Sequence, residues 1–184
     1  NAAEVLFAER VVLAEGKTER ILLPKLVKKV TGQTLGMKKT ALVTIDGCQN
    51  IKKTAEVLEA MDLPTKIICD LDYALKDGEA HGFLTPGDPD VLAIKTTLAS
   101  IAAAKGILLD GNGWPTKSPA FSAAEAFCEL AAESAIQANV ENLHRTAIAN
   151  GVWFWRKGDF ESHLEKIAKA ESAWAMFCQR LDNE

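Results

Sequence analysis

The sequence predicts an α/β fold in which a mostly parallel sheet is flanked by helices and interrupted by a helical insertion. Three short runs rich in Val, Ile and Thr alternate with segments whose apolar residues recur every three or four positions. That alternation is typical of βαβ units with right-handed crossovers. A fourth apolar run returns only after a long stretch rich in Ala and Glu, and this stretch is the predicted insertion.

The elements before the insertion follow one another as strand, tight turn and helix. A Gly or an Asp ends each apolar run, and Asn50 is a candidate cap for the second helix. The predicted strands are 10–16 (RVVLAEG), 41–47 (ALVTIDG) and 65–72 (TKIICDLD), and the predicted helices are 18–30 and 50–62.

The chain after the third strand is predicted to leave the sheet and return to it. Gly, Asp and Pro in 73–89 indicate a loop, and two helices at 91–106 and 122–150 flank the linker 109–119. A buried fourth strand, VWFWRKG (152–158), then precedes one or two closing helices. We therefore predict a catalytic core formed by 1–75 and 150–184, with a loop and helical insertion at 76–149.

Composition excludes several classes of protein. With 184 residues, 48% of them hydrophobic, the chain is long enough for one domain with its own core, so disorder is excluded. Its net charge of −4 argues against bulk electrostatic binding of nucleic acid. No apolar run approaches the ~20 residues of a membrane-spanning helix, and we expect no membrane partner. Because the first residue is Asn1, we expect a fragment of a longer protein.

The four cysteines give no sign of a metal or redox motif. They are widely spaced and form no CxxC pair, which predicts reduced, mostly buried thiols in a cytoplasmic protein. They are Cys48, Cys69, Cys128 and Cys178.

Acidic side chains follow all three strands that precede the insertion. The carboxyl ends of parallel strands line one edge of a sheet, where ligands bind, so these acids are expected to converge. Asp70 and Asp72 are two apart and would share one face of an extended strand. The five acids are Glu15, Glu19, Asp46, Asp70 and Asp72.

Carboxylates held this closely repel one another unless cations neutralise them. Oxygen ligands alone favour Mg²⁺ or Mn²⁺ over zinc, so the cluster predicts a divalent metal site. The alternative for each acid taken singly is a helix cap or a solvated loop residue.

The motifs VVLAEGKTE (11–19), ALVTIDG (41–47) and IICDLD (67–72) resemble the Toprim fold of topoisomerases, bacterial primases, small nucleases and recombination proteins. More narrowly, the second Glu of the first motif, the helical insertion and the late RKGDFESHL (156–164) resemble the catalytic region of the OLD (overcoming lysogenisation defect) nucleases. In that family an N-terminal ABC-type ATPase precedes the Toprim nuclease. No Walker A motif or ABC signature occurs here, so ATP is expected to act only through an absent N-terminal region.

The resemblance implies a Rossmann-like Toprim core that hydrolyses DNA phosphodiester bonds with two Mg²⁺ or Mn²⁺ ions. It implies that Lys157 stabilises the charge on the phosphate, and that Glu15, Asp70 and Asp72 are catalytic through one metal. The implied metal ligands or their supporting partners are Glu15, Glu19, Asp46, Asp70, Asp72 and Glu161.

Other polar and aromatic residues have simpler interpretations. Ser118, Ser122 and Glu125 are weaker site candidates and are better explained as linker and helix-start residues. Trp153 and Trp155 are explained by burial in the fourth strand. The lysine groups at 25–29, 38–39 and 52–53 fit solvated helix faces or a track for the DNA backbone. His81, His144 and His163 share no spacing, and His163 is the best of these three as a base.

The sequence leaves four rival functions to weigh. A primase would need nucleotide-binding and template-handling parts, which no motif of this sequence indicates. A topoisomerase needs a nucleophilic tyrosine, and Tyr73, directly after the two aspartates, is poorly placed for that role. A non-catalytic Toprim module for binding DNA or proteins is the main alternative, although such a module would be expected to lose acids. A phospho-receiver domain also has acids at strand ends, but it uses a lone acceptor Asp and has no large helical insertion.

The net charge is compatible with a nucleic-acid substrate when the charged residues of the predicted site are left out of the count. Without the six site acids and Lys157, the chain retains 19 acidic and 20 basic residues, a net charge of +1. Bound divalent cations would offset most of the negative charge of the site itself.

Overall fold

The computed structural model describes residues 2–45, 47–164 and 167–183 and has the predicted α/β architecture. A four-stranded sheet has the strand order β2-β1-β3-β6, with helices flanking it. The strands are β1 (Arg10–Ala14), β2 (Thr40–Thr44), β3 (Thr65–Cys69) and β6 (Val152–Phe154), and a separate hairpin comprises β4 (Leu108–Leu109) and β5 (Pro115–Thr116).

The first of two compact units comprises Asn1–Ile68 and Leu164–Glu184. In it β1 pairs in parallel with both β2 and β3, and Ala14 lies opposite Thr44 on one side and Ile68 on the other. Its helices are α1 (Ala2–Val5), α2 (Lys17–Thr31), α3 (Ile51–Ala60) and α9 (Glu171–Asn183).

Helix α2 carries the lysine group at 25–29, and two of these lysines make contacts with α9. Gly32, at φ 70°, ends the helix and donates its N–H to the carbonyl of Lys28. Lys25 forms an ion pair with Asp182 at 3.2 Å, and Lys29 donates to the carbonyl of Leu181 at 2.9 Å. Two of the predicted solvated lysines therefore contact α9.

The second unit comprises Cys69–His163 and has its own helical core. Helices α5 and α7 pack together, with Ile94, Leu98 and Leu143 fully buried, and Asn139 donates to Asp90 at 2.6 Å. The helices of this unit are α4 (Leu71–Asp77), α5 (Pro89–Lys105), α6 (Ala123–Ala131), α7 (Gln137–Ala149) and α8 (Phe160–His163).

Two backbone hydrogen bonds join the beginning of this unit to its end. The N–H of Trp155 donates to the carbonyl of Cys69 at 3.0 Å, and the N–H of Leu71 donates to the carbonyl of Gly158 at 2.8 Å. The turn after β6 therefore lies beside the start of α4.

Two predicted segments differ from the structure. The loop predicted from residue 73 is wrong at its start, since α4 continues to Asp77 because Leu71, Ala74 and Leu75 are buried at helical spacing. The single helix predicted over 122–150 is broken by a 3₁₀ turn at Ser134–Ile136. Leu130 and Ile136 are both fully buried, yet six residues along a continuous helix would place them about 120° apart. The break lets both enter the core.

The prediction that Trp153 is buried is wrong. This side chain is 41% exposed, whereas its neighbours Val152 and Phe154 are buried. β6 is the last strand in the sheet order, and alternate residues of an edge strand can face solvent. The Trp153 ring packs edge-on against the imidazole of His144, with 4.5 Å between ring centroids.

His144 is expected to make the protein sensitive to mild acid. Its side chain is 3% exposed, and neither ring nitrogen has a hydrogen-bond partner within the described ranges. Burial lowers the pKa of His144, and the positive charge of Arg156 lowers it further. The unfolded chain therefore binds a proton at higher pH than the folded protein does, so stability falls as the pH drops below about 6.5. In urea titrations from pH 7 to pH 5, the wild type should lose up to about 1.4 kcal/mol per pH unit relative to His144→Leu. Parallel losses in the two proteins would contradict this assignment.

None of the helices in the described ranges is both long and apolar enough to cross a membrane.

Candidate metal centre

Glu15 directly follows β1, and Gly16 separates it from α2. Gly16 is the N-cap residue of α2 and has an extended backbone. The position of Glu15 follows from the sequence, because the strand stops at Ala14 and the helix begins two residues after Glu15. The Glu15 side chain is half-buried.

Asp70 and Asp72 lie at the beginning of α4. Asp70 is the N-cap residue, and its side chain makes no capping hydrogen bond. Asp72 is in the first turn, where its Oδ1 accepts the N–H of Tyr73 at 2.8 Å. The expectation that both aspartates share one face of an extended strand is wrong, because the helix starts between them at Leu71.

The pairing of strands explains why these acids meet. Ala14 and Ile68 are partners in the parallel β1–β3 ladder, so the residues that follow both strands emerge at the same edge. One carboxylate oxygen each of Glu15, Asp70 and Asp72 lies within 4.8 Å of the other two. Three half-buried carboxylates at this separation repel one another, and their oxygens are the ligands that Mg²⁺ and Mn²⁺ prefer. The donor set therefore fits a divalent cation.

Glu19 occupies the first turn of α2 and is 4% exposed. A Cβ placed on Gly16 would lie 2.8 Å from Oε2 of Glu19, so the carboxylate rests against the glycine backbone. Glycine at position 16 makes room for this side chain. The role of Glu19 at the metal stays a prediction, and Asp46 lies outside the described residues.

Lys157 lies in the turn between β6 and α8, and Glu161 lies in α8 itself. Lys157 is exposed, whereas Glu161 is buried in the first turn of α8. The carbonyl of Gly158, between them, accepts the N–H of Leu71, so this turn lies beside the segment that carries the two aspartates. The catalytic role of Lys157 and metal ligation by Glu161 stay predictions.

His163 contacts the same turn. Its Nε2 accepts the backbone N–H of Lys157 at 3.2 Å, which requires that nitrogen to be unprotonated. Burial lowers the pKa of His163, and the nearby charges of Lys157 and Arg156 lower it further. Both observations favour a neutral imidazole.

The weaker serine and glutamate candidates have structural roles, as the sequence indicated. Ser122 and Glu125 form a capping box at the start of α6, and hydrogen bonds from Ser122 lower the pKa of Glu125. The Ser118 hydroxyl accepts the N–H groups of Ala120 and Phe121 at 3.2 and 3.0 Å.

Tyr73 cannot serve as an exposed nucleophile in this conformation. The residue is 1% exposed, and its hydroxyl lies 2.7 Å from Nδ1 of His81. Its ring also packs against Phe83, with 5.6 Å between centroids. This placement disfavours the topoisomerase alternative.

Sequence reasoning missed an ion pair beside the same turn. Arg156 pairs with Glu141 of α7, and both side chains are partly exposed. No sequence pattern predicts this pair, because the two residues are 15 positions apart and belong to different elements. The pair becomes visible only when α7 packs against β6.

Two known groups of proteins are similar to this chain. Residues 6–72 match a family model described as the Toprim domain of overcoming lysogenization defect protein-like proteins. The chain is also 26% identical over 179 residues to the Old nuclease of Escherichia phage P2, an alignment that covers 95% of this chain and 29% of that protein. The chain thus spans less than a third of this relative's length. Over residues 6–72 the chain is thus similar to the Toprim domain of the overcoming lysogenization defect protein-like family.

Proposed function

We propose that this chain is the nuclease part of a larger protein and cleaves DNA phosphodiester bonds with Mg²⁺ or Mn²⁺. The observation that carries the proposal is the set of three carboxylate oxygens of Glu15, Asp70 and Asp72 within 4.8 Å of one another. Similarity to the phage Old nuclease supports the same class of reaction. Nicking and double-strand cleavage are both compatible with this site.

In this proposal Glu15, Asp70 and Asp72 hold one metal ion, and Glu19 and Glu161 serve a second. Asp46 completes either position. Divalent cations in such sites supply an activated water molecule and neutralise the charge of the leaving oxygen. Glu19 and Glu161 are both buried acids, and their assignment to the second ion rests on the resemblance of their motifs to the OLD nucleases.

Lys157 binds the phosphate that is cleaved. Its ammonium group would stabilise the additional negative charge that develops on the phosphate oxygens. The hydrogen bond from the N–H of Leu71 to the carbonyl of Gly158 supports this role, because it holds the turn that carries Lys157 against the start of α4.

The remaining parts of the proposal concern the whole protein. We propose that an N-terminal ABC-type ATPase region belongs to the same polypeptide, and that ATP acts only through it. The share of the phage nuclease that this chain covers, 29%, leaves room for such a region. DNA is the proposed substrate and the cytoplasm the proposed location.

Incubation with supercoiled plasmid tests the function. Cleavage is expected with Mg²⁺ or Mn²⁺ and not in EDTA. Lys157→Ala should lower the rate by about 10²–10³-fold, the usual effect of removing one group that stabilises transition-state charge. Lys117→Ala, which removes another exposed lysine of the same unit, is the matched control and should cleave normally. Cleavage that persists in EDTA and in Lys157→Ala would refute the proposal.

A further inference from the structure

A cavity of about 300 Å³ in the second unit opens beside the turn that carries Lys157. Its walls come from the end of α6, the first two turns of α7, and the segment from β6 to α8. This volume is at the lower end of the range of about 300–1,000 Å³ that small-molecule sites occupy. The proposed function uses only Lys157 of this wall.

The charged residues that line the cavity are more positive than negative. Arg156 and Lys157 contribute two cations and Glu141 one anion. Arg156 is engaged by Glu141, but a guanidinium has five N–H donors and can bind a phosphate oxygen at the same time. Lys157 is exposed and has no ion-pair partner within the described ranges. The charge therefore suits a single phosphate group.

The lining also has an apolar part. Ala131 at the end of α6 and Val140 on α7 contribute to it, and Val140 is buried. Gln137, in the first turn of α7, is exposed and offers both a donor and an acceptor. An apolar wall with one amide at its edge suits a flat heterocycle that also has hydrogen-bonding groups.

We propose that this cavity binds one nucleotide of the DNA strand next to the cleaved phosphate. Lys157 and Arg156 contact the cleaved phosphate itself, to which that nucleotide is joined, and the base of the nucleotide lies against Ala131 and Val140 with Gln137 at its edge. The inference rests on the proposed function, since DNA is the substrate there. A base can enter only when it is unstacked, so the site favours single-stranded or distorted DNA over regular duplex.

Binding of a short, fluorescently labelled single-stranded oligodeoxynucleotide to the 184-residue chain in EDTA tests this proposal. Ala131→Leu fills the cavity without altering charge and should weaken binding about tenfold, the effect of losing one base contact. Ala132→Leu adds the same group at the next, exposed position and should bind as the wild type does. Equal affinity of the Ala131→Leu variant and the wild type would overturn the proposal.

The salt dependence of binding gives a second readout. Arg156→Gln should flatten the slope of log affinity against log salt by about 0.7, the contribution of one phosphate contact with a single strand. Arg145→Gln, on the exposed side of α7 and away from the cavity, should leave the slope unchanged. Identical slopes for the two variants, or tighter binding of a duplex of the same sequence, would contradict the proposed nucleotide site.

These measurements are independent of catalysis, because EDTA removes the metal. A chain that cleaves plasmid but binds the oligonucleotide equally in all variants would refute the cavity proposal alone. A chain that shows the expected binding pattern but never cleaves would refute the proposed nuclease activity alone.

Discussion

Asp70→Asn is expected to reduce metal-dependent DNA cleavage by at least about 10³-fold. The substitution keeps the size of the side chain but removes one of the three negative charges that lie within 4.8 Å of one another. Because amide oxygens bind Mg²⁺ and Mn²⁺ more weakly than carboxylates do, we expect the loss to appear in metal affinity and in rate. Initial rates of plasmid cleavage across a titration of Mn²⁺ measure both.

Asp77→Asn is the matched control for that variant. It makes the same chemical change at the other end of α4 and should leave cleavage unaffected. Thermal unfolding adds a test that does not depend on cleavage: Mn²⁺ should raise the melting temperature of the wild type, because a ligand that binds only the folded state stabilises it. The Asp70→Asn protein should show little response. Full activity or an undiminished Mn²⁺ response in Asp70→Asn would contradict the assignment of the metal centre.

Gly158→Ala is expected to lower the free energy of unfolding by about 3 kcal/mol. Gly158 has φ 107°, which side chains rarely adopt, and a Cβ there would lie 2.5 Å from Sγ and 2.9 Å from Cα of Cys128. The second contact is with backbone, so the clash cannot be relieved by rotating a side chain. Cleavage should fall as well, because the Gly158 carbonyl accepts the N–H of Leu71 between the two aspartates. Urea unfolding and the plasmid assay measure the two effects.

Gly113→Ala separates backbone strain from the contact with Cys128. Gly113 has φ 79°, and a Cβ placed there would meet no atom of the described residues within 4 Å. Its substitution should therefore cost only about 1 kcal/mol of strain. The difference between the losses of unfolding free energy in Gly158→Ala and Gly113→Ala therefore measures the cost of the clash with Cys128. If both lose the same stability, close packing of Gly158 against Cys128 contributes nothing.

The sheet and the acids at its edge were predictable from local patterns. β1, β2 and β3 are apolar runs ended by Gly or Asp, and pairing of Ala14 with Ile68 brings Glu15 close to Asp70 as the parallel arrangement requires. The Ser122–Glu125 capping box was also local, since both partners lie within one helical turn. Such local patterns predict the structure well because the residues that form each interaction are close in sequence and do not depend on the packing of distant elements.

Features that depend on distant contacts could not be predicted. The break before α7 has no Gly or Pro to announce it, and it follows from burying both Leu130 and Ile136. The exposure of Trp153 depends on which strand lies at the edge of the sheet. Pairing of Arg156 with Glu141, and with it the cavity beside Lys157, requires the packing of α7 against β6.

The hydrogen bonds from Trp155 to Cys69 and from Leu71 to Gly158 also bear on how such a chain can change during evolution. The segment between Leu71 and Trp155 begins and ends at these two hydrogen bonds, which hold its two ends side by side. Loop-closure entropy grows only slowly with length, so residues added to the exposed loops of this segment cost little stability, whereas its buried helical core has no such tolerance. Such loops can therefore lengthen or shorten while the two aspartates and the turn that carries Lys157 keep their places.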